Sequence, residues 1–146
     1  MFSIPDNETD YVAFTSYASV PRYYDDQDII LFDSIITNIG NHYSVATSNF
    51  VCPFNGVYSI SVSFYSGISG YLYIDIMRDD ELLINGFADN EPTDAPNLWT
   101  HAMVSVVIKC NVGQLVWVKC GNDYDYMTGG PYEQSHFTGF LLQRFP

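Results

Sequence analysis

The sequence predicts an all-β protein, a sandwich or barrel of about ten short strands in one domain. Three observations carry this. Residues 57–65 alternate strictly, with Tyr58, Ile60, Val62 and Phe64 on one face and Ser59, Ser61 and Ser63 on the other. That is the two-residue period of a half-buried strand. Similar runs recur along the chain, with Gly, Asn, Asp or Pro between them. No stretch holds a 3.6-residue apolar stripe for three turns, so no helix is predicted.

In chain order, residues 11–17 and 29–36 are extended and apolar and open the fold. Asn55-Gly56 reads as a turn, because both residue types tolerate the positive φ of a tight hairpin. It leads into the alternating strand at 57–65. Residues 70–78 repeat the alternation, with Leu72, Ile74 and Ile76 predicted inside and Tyr71, Tyr73 and Asp75 outside. Arg78-Asp79-Asp80-Glu81 is then a hairpin turn into Leu82-Leu83-Ile84. From 98 to 120 a long strand, a tight loop at Gly113 and a second strand are predicted to pair as a further hairpin. Val106, Ile108 and Cys110 share one face of it, and Val116, Val118 and Cys120 share another. Residues 135–143 close the fold. Residues 1–10 form an N-terminal extension ahead of a single domain at 11–146. Two segments rich in Asp, Asn, Gly and Pro, 89–97 and 121–131, are expected as surface loops.

Composition bounds the function. Hydrophobic residues make up 47% and charged residues 15% of the 146, which describes a packed domain and not a disordered chain. The formal net charge of -12, from 5 Lys+Arg against 17 Asp+Glu, offers no basic stripe for nucleic acid and repels anionic membranes. No apolar run approaches the ~20 residues of a membrane-spanning helix. The N-terminus lacks the basic start and apolar core of a signal peptide.

Catalytic signatures are missing. His42, His101 and His136 are scattered, with no His-x-His or Glu-x-x-His arrangement, and no Gly-x-Ser-x-Gly occurs. Cys52, Cys110 and Cys120 match neither a zinc spacing nor a disulfide scaffold, and all three are predicted as buried, unreactive free thiols. The expected 98–120 hairpin sets Cys110 opposite Leu115 and leaves Cys120 about five residues out of register, beyond disulfide reach.

Five motifs then stand in order. Phe50-Val51-Cys52-Pro53-Phe54-Asn55-Gly56-Val57-Tyr58 matches Phe-x-Cys-Pro-x-x-Gly-Val-Tyr, and Ser135-His136-Phe137-Thr138-Gly139-Phe140-Leu141 matches Ser-x-Phe-x-Gly-Phe-Leu. Ile30-Leu31-Phe32-Asp33, Asn38-Ile39-Gly40-Asn41-His42-Tyr43 and Gly113-Gln114-Leu115-Val116-Trp117-Val118 supply the others. Together they resemble the globular head domain family of complement C1q, whose fold is shared with the tumour-necrosis-factor cytokines. Ser48 and Gln114 depart from the pattern, where the family has Gly and Asp. The resemblance implies a ten-stranded jelly-roll β-sandwich and a homotrimer with its first and last strands near the threefold axis. It also implies secretion, calcium near the trimer apex, and no catalysis. Phe50, Tyr58, Phe137 and Phe140 are expected as core aromatics, and Gly56 and Gly139 as residues of backbone geometry or close packing.

Two loop constellations are the candidate sites. Asp89, Glu91 and Asp94, with Asp123 and Asp125, offer oxygen ligands for calcium, although their spacing fits no loop consensus and a solvated acidic face is the plain alternative. Tyr124 and Tyr126 interleave with Asp123 and Asp125, and Tyr23 and Tyr24 adjoin Asp25 and Asp26. Both combine stacking faces with hydrogen-bonding groups, as carbohydrate binding needs; a subunit contact is the equal alternative. The expected function is a soluble, lectin-like pattern-recognition protein of innate immunity that binds microbial glycans as a homotrimer. The alternative is a cytokine-like ligand for a protein receptor.

Overall fold

The alternating apolar residues of the chain close a core between two layers. The computed structural model describes residues 11–66, 71–89, 100–123, 125–131 and 134–146. Its strands are β1 (Ala13–Tyr17), β2 (Arg22–Tyr24), β3 (Ser34–Ile39), β4 (Tyr43–Ser44), β5 (Asn49–Val51) and β6 (Gly56–Ser66), followed by β7 (Tyr71–Arg78), β8 (Glu81–Asp89), β9 (Thr100–Cys110), β10 (Leu115–Cys120), β11 (Asp125–Met127) and β12 (His136–Arg144). One five-stranded antiparallel sheet runs β3-β1-β12-β6-β9 and the other β4-β5-β10-β7-β8. These ten strands are the expected jelly roll. β2 and β11 add a separate two-stranded ribbon. The extension at 1–10 lies outside the described residues, as do Glu91, Asp94 and Tyr124.

The predicted inward faces meet. Tyr58, Ile60, Val62 and Phe64 of β6 are fully buried with Leu72, Ile74 and Ile76 of β7 and Val116 and Val118 of β10. Phe14 stacks on Phe50 at 4.7 Å and on Tyr43 at 4.9 Å, and meets Phe137 edge-on at 4.8 Å. Gly139 sits beside this cluster, where a Cβ would fall 2.5 Å from Phe14 Cε1 and 2.8 Å from Ile60 Cδ1. Close packing therefore requires glycine there. Ser48 shows why a glycine can be replaced. Its φ is +55°, the left-handed region, and its hydroxyl accepts the buried Phe32 N–H at 3.0 Å.

Several expectations need correction. The hairpin expected over 98–120 is not formed by the described residues 100–120: β9 pairs with β6 and β10 pairs with β5 and β7, so the Gly113 loop crosses from one sheet to the other. Both strands bury one face, and placing them in opposite layers lets both faces look into a single core. Asn55-Gly56 makes the same kind of crossing, from β5 to β6, and neither residue has positive φ. The Arg78–Glu81 turn is a hairpin as predicted, with Asp79 at φ +49°.

The crossings also correct the cysteines. Cys52 and Cys110, 58 residues apart, form a disulfide with a Cα–Cα distance of 6.4 Å. The bridge joins the segment after β5 to the end of β9, where Gly56 pairs with Cys110, and so ties the two sheets together. Cys120 alone stays a free, buried thiol. Phe140 is not a core aromatic but 41% exposed, because Phe137 sets the inward parity of β12 and Phe140 falls on the other. The 121–131 segment is not wholly loop, since β11 lies within it.

Candidate functional site

Pairing of β2 with β11 unites the two tyrosine–aspartate segments. Tyr126 lies opposite Tyr23, and Asp125 opposite Tyr24. The strand period then sorts them. Tyr23 is 73% exposed and its ring lies 4.7 Å from that of Tyr126, tilted by 50°. Tyr24 faces inward at 4% exposure, and its hydroxyl oxygen accepts the Leu31 N–H at 3.1 Å. Burial pushes the Tyr24 hydroxyl above its ordinary value, against the opposing effects of the Leu31 bond and Arg22. Tyr23 and Tyr126 are thus the ring pair at the surface, and Tyr24 is a core residue.

Asp125 is likewise structural. It is 1% exposed; its Oδ2 accepts the Tyr73 N–H at 2.6 Å and lies 3.6 Å from Cys120 Sγ, and its Oδ1 accepts from Asn122 Nδ2 at 3.3 Å. Burial raises its carboxyl above the usual range, although the Tyr73 bond works the other way. These contacts fasten the ribbon to β7. The neighbouring Cys120 thiol is pushed up to about 12, chiefly by burial, which makes it inert at neutral pH.

Around the ring pair, polar groups are organised by backbone bonds. Asp123 Oδ1 accepts the Asp26 N–H at 3.0 Å and so closes the 121–131 segment onto the turn after β2. In that turn Asp28 Oδ2 accepts the Asp25 N–H at 2.8 Å, and Gln27 adopts φ +73°. Gln27 Nε2 donates to Asp26 Oδ1 at 2.9 Å, and Lys119 Nζ donates to Gln27 Oε1 at 2.6 Å. A shallow concavity of about 510 Å³ opens here, lined by residues that include Arg22, Tyr23, Gln27, Asp28 and Ile29. Gln27 and Lys119 carry no motif of their own, and only the register of β10 and the turn geometry bring them to the site.

Those proposed calcium ligands that are described are not gathered in this way. Asp89 is exposed at the end of β8, Glu91 and Asp94 lie outside the described residues, and the Asp125 carboxylate is occupied by internal donors. Among the described residues, no three His, Cys, Asp or Glu converge as a metal site. One contact has a catalytic look, Ser63 Oγ at 2.5 Å from His101 Nε2. Among the described residues no carboxylate hydrogen-bonds His101 to complete a triad.

Two packed five-stranded sheets in this order define a jelly-roll sandwich. The family model for the C1q domain matches residues 13–142, and the chain belongs to that family. Among curated relatives it is 31% identical over 114 residues to Caprin-2 of Danio rerio, covering 77% of this chain and 12% of that protein. It is 29% identical over 127 residues to complement C1q tumor necrosis factor-related protein 3 of Mus musculus, covering 86% of this chain and 49% of that protein. The chain therefore spans at most about half the length of these relatives. The globular domain of zebrafish complement 1qA superposes with a TM-score of 0.69 at 16% identity, covering 92% of this chain and 99% of that one. The Eiger TNF structure from S. frugiperda gives 0.75 at 12% identity, with 93% and 95% covered. Both structural likenesses concern the fold.

Proposed function

We propose that this chain is a secreted, lectin-like recognition protein of innate immunity that binds neutral microbial carbohydrate as a homotrimer. The observation that carries the reading is the Tyr23–Tyr126 ring pair bordered by Asp26, Gln27 and Asp123. Aromatic faces take the apolar side of a pyranose, and the neighbouring carboxylates and amide take its hydroxyls. The Cys52–Cys110 bridge supports an oxidising, extracellular setting. Self-association is supported by the outward face of the β3-β1-β12-β6-β9 sheet, where Ile36, Met103, Val107, Phe140 and Leu142 are exposed together. A surface that apolar is suited to a symmetric copy of itself.

The test is a panel of glycans and microbial polysaccharides, run with calcium and again with chelator. Binding in both conditions supports a metal-independent ring-pair site. Binding only with calcium moves the site to the acidic loops at Asp89, Glu91, Asp94 and Asp123. A blank panel combined with saturable binding to cells lacking such glycans replaces the lectin reading with the cytokine-like one.

A further inference from the structure

A second cavity opens on the side of the sandwich where both sheets end. β3 is the last strand of one sheet and β4 of the other, and Gly40, Asn41 and His42 join them. Local bonds fix this loop. Gly40 and Asn41 take left-handed φ values of +88° and +60°. Asn38 Oδ1 accepts the Tyr43 N–H at 3.2 Å, while Asn38 Nδ2 donates to Tyr43 O at 2.9 Å and to Asn41 Oδ1 at 3.3 Å. The Val51 N–H donates to His42 O at 2.9 Å. The His42 ring lies against the Gly40 backbone, where a Cβ would fall 2.7 Å from its Cδ2 and Nε2. Glycine there sets where the imidazole sits.

The cavity measures about 470 Å³, within the roughly 300–1,000 Å³ of small-ligand sites. Its apolar wall is Ile35 of β3, Val45 of the turn after β4 and Val51 of β5, three exposed side chains from separate segments. Asn41, His42 and Ser44 supply polar lining. Asn41 Nδ2, the His42 ring and the Ser44 hydroxyl have no hydrogen-bond partner among the described residues. Asn41 is exposed and the other two are half-buried, so a ligand can reach all three. Burial holds the His42 imidazole below its ordinary value, which leaves it uncharged at neutral pH, one nitrogen donating and the other accepting. Every lining residue belongs to the run 34–74, which contains no Asp, Glu, Lys or Arg in a chain of net charge -12.

The lining selects its occupant. With neither cation nor carboxylate, it offers no ion pair to a charged ligand. It also gives a pyranose no phenol face, since Tyr43 is 4% exposed with its ring stacked on Phe14 at 4.9 Å. Aliphatic walls beside unpaired amide, imidazole and hydroxyl groups suit a methyl joined to an amide. An extended peptide would need a regular strand edge, and the register shift between Ile35 and Thr37 interrupts β3 beside the cavity. We infer that the cavity is an acetamido subsite: it takes the N-acetyl group of a neutral N-acetylhexosamine, the methyl resting on Ile35, Val45 and Val51. Asn41 Nδ2 and the Ser44 hydroxyl donate to the amide oxygen, and the amide N–H donates to the His42 imidazole. The subsite rests on the carbohydrate reading and names the class of sugar, without depending on the ring pair.

The experiment titrates the ¹⁵N-labelled full chain with triacetylchitotriose, with cellotriose, which has a hydroxyl at each acetamido position, and with an uncharged serine–valine peptide. Amide shifts are followed at Asn41, His42, Ser44, Val45 and Val51 and at Tyr23 and Tyr126. The subsite predicts shifts in the first group with triacetylchitotriose and none there with cellotriose. It also predicts binding of the acetylated sugar at least about tenfold tighter. Val45→Asp places a charge on the methyl wall, and Asn41→Gly removes the amide donor while keeping a residue that tolerates positive φ. Each should weaken triacetylchitotriose about tenfold and leave cellotriose unchanged. Val45 is exposed in a turn, so its variant should melt with the parent, and Asn41→Gly serves if Val45→Asp fails to fold. Equal binding of the two trisaccharides, or unchanged affinity in the variants, overturns the subsite; shifts at Tyr23 and Tyr126 then leave the carbohydrate reading standing. No saccharide shift anywhere overturns both. Peptide-induced shifts at the cavity in place of saccharide shifts overturn the ligand class.

Discussion

Asp33 and Asp75 show how placement decides what a carboxylate does. Burial by itself would raise Asp33, but it accepts the Ser19 N–H at 2.9 Å and the Ser19 hydroxyl at 2.7 Å and faces Arg22, and these hold its carboxyl below the ordinary value. Asp33 therefore contributes stability above the unfolded-state pKa, and that stability disappears as pH falls below it. Asp75 is the reverse case, raised chiefly by burial, with Lys119 opposing and Asp26 adding. Its charged form penalises the fold at neutral pH, and the penalty is relieved as pH drops through the raised value. The Asp75 effect should thus raise the melting temperature as pH falls from neutral toward the ordinary carboxyl value, and the Asp33 effect should lower it as pH falls further. Asp75→Asn should flatten the climb. An unchanged climb in that variant would assign the effect to the net charge of -12 instead. In the core, Phe137→Ala opens a cavity beside Phe14 and Phe32 and should cost about 3–5 kcal/mol, read by chemical denaturation.

At the scale of elements, what was legible in the sequence was local and what was hidden was pairing. The alternation of β6 and β7 is written in adjacent residues, so their buried faces were predicted residue by residue. The partners of β9 and β10 were not, because sheet membership is decided by contacts across the sandwich. A loop such as Gly113 reads alike whether it makes a hairpin or changes layers. The same non-locality hid the Cys52–Cys110 bridge, since only the crossing brings two residues 58 apart together. The ribbon was half legible. Tyr126 falls between the buried Asp125 and Met127, a short period-2 signal inside a segment whose Asp and Gly content marked it as loop. Asp125 and Tyr24 were placed at the candidate site for their chemistry, and parity turned both inward. Replacing Cys52 and Cys110 with alanine should cost about 2–4 kcal/mol of stability, since the bridge closes a long loop in the unfolded chain. A loss below about 0.5 kcal/mol would mean that the crossing is held by the core alone.

For the whole molecule, the two sheets divide the work. The β3-β1-β12-β6-β9 face exposes apolar side chains, the face proposed to meet another copy, and the opposite sheet with its attached ribbon presents rings and carboxylates to solvent. Light scattering should give a mass near three times the 16.5 kDa chain, and Phe140→Glu should return it to the monomer. A monomeric parent would remove the assembly from the account. The central claim is that β2–β11 pairing builds a saccharide platform from Tyr23 and Tyr126. The most direct measurement is titration calorimetry of the tightest-binding panel saccharide against the parent chain and Tyr23→Ser. An exposed ring whose loss leaves the core untouched should cost about tenfold in affinity, with the melting temperature preserved. Equal affinity in the two proteins would contradict the claim.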